Sequence, residues 1–175
     1  MSEVETTLSA LDIQIIDLFR NAAAVLGMPR SVGEIYGLLY AAPAPLSMED
    51  IIEKLKISVG SASQGLKFLR SFGAVKSQYV PGERRDHFVV ETELRVVVAG
   101  FIKHQVTPHL ENGSERLASL RASLGETEPQ FGDIIASRIG RLERWHKLAT
   151  EMLPLIQKFA QNVEASAGSR EHRLE

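Results

Sequence analysis

The chain has 175 residues, 44% hydrophobic and 24% charged, with a formal net charge of −2 and no cysteine. That suits one compact domain with appended helices and argues against general disorder. The missing cysteine excludes disulfides, thiol nucleophiles and cysteine-held metals, and no apolar run approaches the roughly 18 residues of a membrane span.

Met1-Ser2-Glu3-Val4-Glu5 is acidic and lacks the apolar core of a signal peptide, so a cytoplasmic protein away from membranes is expected. Leu8, Leu11, Ile15, Leu18, Ala22 and Val25 recur at three- and four-residue steps, which predicts an amphipathic first helix ending near Gly27. Ser31-Val32-Gly33-Glu34 has capping-box form and predicts a second helix through Tyr40, broken by Ala42-Pro43-Ala44-Pro45. Ser47 then caps a short helix from Met48 to Leu55, Lys56-Ile57-Ser58 is a turn, and Ser58 caps a helix from Val59 to Phe72 stopped at Gly73. Residues 74–80 and 86–90 read as strands around Pro81-Gly82-Glu83-Arg84-Arg85. Helix, turn, helix and a hairpin with a basic tip make a winged helix-turn-helix.

Beyond the hairpin, Thr92 opens a helix from Glu93 to about Gln105 with Pro108 near its end. A break is expected at Glu111-Asn112-Gly113-Ser114, then a shorter helical piece to Leu124 and a loop over residues 125–129. In the last helix Leu142, Trp145, Ala149, Met152, Ile156, Phe159 and Val163 form a seam of a/d type, interrupted by Pro154. Such a stripe is either intramolecular core or a dimer interface shared with the first helix. The interface is favoured, because a small winged domain cannot cover two long apolar stripes. The expected organisation is a winged domain over 28–92, helical dimerisation segments over 6–27 and 93–165, and a frayed tail over 166–175 that closes on an expression remnant, Leu174-Glu175. The fold class is mainly α with a small β-hairpin wing.

Between Lys54 and Arg85 the cations are Lys54, Lys56, Lys67, Arg70, Lys76, Arg84 and Arg85, against the single acid Glu83. The basic surplus therefore sits on the winged part, where a polyanion would be gripped. In the second helix of the motif Val59, Ala62, Leu66 and Leu69 should pack inward, while Gly60, Ser61, Gln64, Lys67 and, less comfortably, Phe68 face outward. Small and amide side chains at the start of such a helix let it enter a major groove. Gln64 can pair with an adenine edge, and Ser58, Ser61 and Ser63 can reach bases or phosphates. Lys67 and Arg70 suit phosphates, and Arg84 and Arg85 suit an adjacent minor groove.

Gly27 to Tyr40, then Pro45-Leu46-Ser47, then Ile57 to Ser63, resemble the glycine-betaine-synthesis-regulator (GbsR-type) branch of MarR-like winged helix-turn-helix transcriptional regulators. The resemblance covers roughly residues 8 to 95. It implies a bacterial homodimeric repressor on a pseudo-palindromic operator in double-stranded DNA, with the first and last helices at the dimer interface. Members of that branch respond to choline, which implies a small-molecule effector. A quaternary ammonium calls for an aromatic cage, and Phe19, Tyr36, Tyr40, Phe101 and Trp145 are the rings available.

Other chemistries find little support. His104 and His109 lie on different sides of a helix, and His87, His146 and His172 have no ligand partners in sequence, so no metal or cofactor is expected. No nucleophile elbow, phosphate loop or telling carboxylate pair suggests an enzyme. The competing reading is a winged helix that binds proteins and not DNA, which would need neither a basic wing nor a small, polar groove face.

Overall fold

The computed structural model describes residues 8–126 and 129–171, with side chains over 8–125 and 131–158. The described chain divides into two units, one up to Val97 and one from Val98.

In the first unit α1 (Ala10–Val25) starts at Ser9, whose hydroxyl accepts from the Asp12 amide while the Asp12 carboxylate accepts from the Ser9 amide. Such a cap stabilises a helix by about 1 kcal/mol. α2 (Arg30–Ala41) follows directly, but the expected capping box at Ser31 does not form. Pro29 occupies the cap position at φ −57°, and its carbonyl accepts from the Val32 amide at 3.0 Å. A proline preset for a helix entry starts α2 earlier and leaves Ser31 inside the first turn.

α1 and α2 meet over two glycines. A Cβ on Gly33 would lie 2.4 Å from the Phe19 carbonyl oxygen, and one on Gly37 would lie 2.7 Å from the Ile16 Cα. The face of α1 that rests there carries the buried Ile16 and Ala23 with Phe19 between them. The stripe expected to be its main apolar face is largely outward: Leu11, Leu18 and Val25 are exposed.

α2 also packs on α3 (Met48–Leu55), α4 (Val59–Ser71) and the sheet, so it is the centre of the unit. Ile35, Ile51 and Val75 are fully buried around it, each contributing roughly 1.5–3 kcal/mol of transfer free energy. α3 ends at Lys56, which takes left-handed φ of 54°, and α4 ends before Gly73 at φ 81°. The Gly73 and Ala74 amides turn back to the Arg70 and Leu69 carbonyls, so Ala74 closes the helix and does not join the expected strand.

The sheet has three strands where two were expected. β1 (Leu46–Ser47), β2 (Val75–Gln78) and β3 (His87–Val90) lie in the order β1-β3-β2, all antiparallel. Leu46 pairs with Phe88 and Ser47 with His87. β1 is too short to announce itself by alternation.

The second unit begins within α5 (Leu94–Phe101) and continues without a break into a π-helical turn, Ile102–Val106, and α6 (Thr107–Ala122). Pro108 has no amide to donate. The wide turn before it absorbs that loss, with the Thr107 amide and hydroxyl both directed to the Ile102 carbonyl. The expected break at Glu111-Asn112-Gly113-Ser114 is also absent, and Gly113 has a packing role. A Cβ there would lie 2.6 Å from the His146 Nε2, which in turn bonds the Leu110 carbonyl at 2.7 Å.

α7 (Pro129–Glu171) runs antiparallel to α6, as the pairs Arg121–Glu143, Leu110–His146 and Thr107–Gln157 show. Pro154 lies inside α7 without ending it, and the helix continues past the expected fraying point near residue 165. The remainder of the expected tail, 172–175, lies outside the described residues, as do the seam side chains of Phe159 and Val163. Of the rest of that seam Leu142, Trp145, Met152 and Ile156 are exposed, so the single chain does not bury it as core. No helix among the described residues is long and apolar enough to cross a membrane.

Candidate nucleic-acid interface

α3 and α4 form the helix-turn-helix, and both are fixed by serine caps. The Ser47 hydroxyl accepts from the Asp50 amide, and Asp50 Oδ2 accepts from the Ser47 amide at 2.8 Å and its hydroxyl at 2.6 Å. Burial would raise the Asp50 carboxyl, but these Ser47 bonds, helped by His87 and Lys54, hold it below its usual range. The Ser58 hydroxyl accepts from the Ser61 amide at 3.1 Å and lies 2.9 Å from the Ser61 hydroxyl. Ser58 and Ser61 therefore serve the start of α4.

The inner side of α4 consists of Ala62, Gly65, Leu66 and Leu69, all buried. Gly65 escaped the sequence reading. A Cβ on it would lie 2.5 Å from the Ile35 Cδ1, so its absence lets α4 settle on α2. The outer side presents Gly60, Ser63, Gln64, Lys67 and Arg70 to solvent. Two assignments change. Val59 was expected inside but is 60% exposed, because side chains tilt toward a helix N-terminus and a first-turn residue points off the end. Phe68 is half-buried and meets Phe72 edge-on at 5.3 Å, so it packs and does not face outward.

β2 and β3 carry the wing. Its turn uses Gly82 at φ 88°, and the Glu83 amide bonds the Val80 carbonyl at 3.1 Å. Arg84 and Arg85 are both exposed, but Arg85 pairs with Glu49 in the first turn of α3. Lys76 on β2 is held by Glu91 at 2.9 Å, and that contact keeps the Glu91 carboxyl below its usual range. The exposed cations Lys56, Lys67, Arg70 and Arg84 remain around the outer face of α4 and the wing.

Of the five rings considered for a cage, three come together in the first unit. Phe19 lies 4.7 Å from Tyr36 and 5.1 Å from Tyr40, with Tyr36 and Tyr40 6.1 Å apart. At those spacings the rings fill one another's space, whereas a cation between two faces needs each centroid within about 6 Å of itself. Phe101 and Trp145 belong to the second unit, and Trp145 is 71% exposed.

The Tyr36 hydroxyl donates to the Glu91 carbonyl at 2.7 Å, tying α2 to the end of β3. Burial, with Tyr40 and Glu91 adding to it, pushes the Tyr36 phenol up to about 12. The folded state thus holds this proton more tightly than the unfolded one. Its contribution is complete below the unfolded value near 10 and is lost as pH rises through 12. Over that window wild type should lose roughly 2 kcal/mol more than Tyr36→Phe, which itself costs about 1–2 kcal/mol at neutral pH by orphaning the carbonyl. Urea titrations at pH 8 and 11.5 measure the difference. Parallel losses in both proteins would contradict it.

No protein-family model matches the chain. The HTH-type transcriptional repressor GbsR of Bacillus subtilis (strain 168) is 32% identical over 79 residues, which are 45% of this chain and 43% of that protein. The match spans less than half of the repressor's length. A crystal structure of a transcriptional regulator aligns with TM-score 0.60 at 18% identity, over 88% of this chain and 98% of that one. It shares the fold. A mutant of S. aureus MepR bound to an oligodeoxyribonucleotide aligns with TM-score 0.39 at 15% identity, over 77% of this chain and 91% of that one.

Proposed function

We propose that the protein is a sequence-specific DNA-binding transcriptional regulator, a homodimeric repressor that lays α4 in the major groove and the wing beside it. The observation that carries this is the outer face of α4. Gly60, Ser63, Gln64 and Lys67 are exposed on one rigid surface whose back is buried through Ala62, Gly65, Leu66 and Leu69. Small residues allow the backbone close to the bases, and an amide supplies a paired contact. Lys67, Arg70 and Arg84 are then the phosphate and minor-groove contacts.

Dimerisation is supported by the two exposed apolar stripes, Leu11, Leu18 and Val25 on α1 and Leu142, Trp145, Met152 and Ile156 on α7. Stripes of that length seldom stay in water on a soluble chain. A two-fold pair of reading heads suits a pseudo-palindromic operator with half-sites about 34–36 Å apart. Repression would follow by excluding polymerase. Modulation by a small-molecule effector rests on the resemblance to choline-responsive regulators. The packed rings of Phe19, Tyr36 and Tyr40 favour no quaternary ammonium site there.

The test is fluorescence anisotropy of a labelled duplex taken from upstream of the protein's own gene, from 50 to 200 mM salt. Affinity should fall steeply, with log K against log salt changing by about −0.9 for each phosphate neutralised. Binding that is absent, or indifferent to salt, would leave a protein-interaction module as the better reading.

A further inference from the structure

The two arginines of the wing have different surroundings. Arg84 is exposed, whereas the Arg85 Nη1 donates to the Glu49 Oε2. β1 and β3 place Leu46 opposite Phe88 and Ser47 opposite His87, so the start of α3, just past Ser47, lies beside the segment that leads from Arg85 into β3. Both ends are held. Glu49 sits in the first turn of α3, whose start is fixed by the Ser47–Asp50 box, and the His87 Nδ1 donates to the Arg85 carbonyl at 3.0 Å.

An exposed pair of this kind contributes little to stability, so it is no strong brace. It does place a carboxylate on the first helix of a helix-turn-helix, the element that crosses the phosphate backbone. A carboxylate there opposes DNA twice: it repels phosphate, and it occupies a guanidinium that phosphate would use.

We infer that Glu49 is a built-in competitor of DNA phosphate for Arg85, an autoinhibitory contact that holds the wing's grip below its full strength. The inference rests on the DNA-binding reading above. In the resting protein Arg84 is the wing's available arginine, and Arg85 joins only when a phosphate displaces the Glu49 carboxylate.

The experiment measures anisotropy of the full chain on a labelled 30-base-pair mixed-sequence duplex between 50 and 200 mM salt. E49Q should bind about three- to tenfold more tightly at the low-salt end, with a salt slope steeper by about 0.9, the value for one added phosphate contact. R85Q should cost wild type less than about twofold but should abolish the gain in the E49Q background, as expected of coupled neighbours. R84Q should weaken wild type more than R85Q does. Unchanged or weaker binding by E49Q, or equal losses from R84Q and R85Q, would overturn the inference while leaving DNA binding intact. Failure of wild type to bind the duplex at any salt would instead overturn the DNA-binding reading, and this inference with it.

Discussion

Replacing Gly33 with alanine should lower the stability of the first unit by about 3 kcal/mol or prevent its folding, a large effect for one methyl group. The added Cβ would lie 2.4, 2.7 and 2.8 Å from the Phe19 carbonyl oxygen, the Arg20 Cα and the Phe19 carbonyl carbon. These are backbone atoms, and no rotamer change can move them aside. α1 would have to rise off α2, separating Phe19 from Tyr36 and opening the contact at Gly37 as well. Gly60 is the comparison that isolates the cause. Its nearest neighbour for a Cβ is the Ser58 Oγ at 3.9 Å. Gly60→Ala should therefore keep or raise stability by up to about 1 kcal/mol, as alanine does in a helix. Urea denaturation followed by circular dichroism would report both. Equal stabilities for Gly33→Ala and wild type would mean that α1 and α2 do not meet over these glycines.

The second large effect belongs to Gln64. Its exposed amide stands on the outer face of α4 with Ser63 and Lys67, and on the proposed reading it pairs with one base edge. Gln64→Ala should cost about 1–3 kcal/mol on the preferred sequence, and that loss should vanish on duplexes altered at one base position. Lys67→Ala should behave differently. It should weaken binding to every duplex alike and make the salt slope shallower by about 0.9. A panel of duplexes substituted singly across the site, titrated with both variants, separates the two behaviours. A uniform loss from Gln64→Ala would reduce Gln64 to a backbone contact.

Much of the winged region was legible because its signals are local. Ser47 and Ser58 stand directly before their helices, and Gly73 takes the left-handed stop, so α3 and α4 fall where caps and periodicity put them. Features that depend on tertiary approach were less legible. Gly33 reads as part of a capping segment and Gly37 as an interior residue of the second helix until α1 is laid across them, although their four-residue spacing on one helix face was a usable sign. Gly113 reads as a breaker in isolation and proves to be the place where His146 comes close. β1 is two residues long and exists through its pairing with β3. The Arg85–Glu49 contact joins the wing to the start of α3 across 36 residues of sequence, so the wing arginines looked equivalent in sequence. On α1 the periodic stripe was real, but the helix carries two apolar faces, and the one that packs inward is Ile16, Phe19 and Ala23.

The same two-faced helix bears on assembly. Leu11, Leu18 and Val25 remain exposed on α1, and Leu142, Trp145, Met152 and Ile156 on α7. A dimer that buried these stripes would carry two copies of α4 related by a two-fold axis, and the DNA it read would repeat its signal in opposite orientations.

Hydroxyl-radical footprinting on the DNA upstream of the protein's own gene tests that claim most directly. Two protected segments on one face of the duplex, centred about 10–10.5 base pairs apart, are the result expected of paired recognition helices. Even cleavage across the fragment, at protein concentrations well above those that saturate the anisotropy signal, would contradict it.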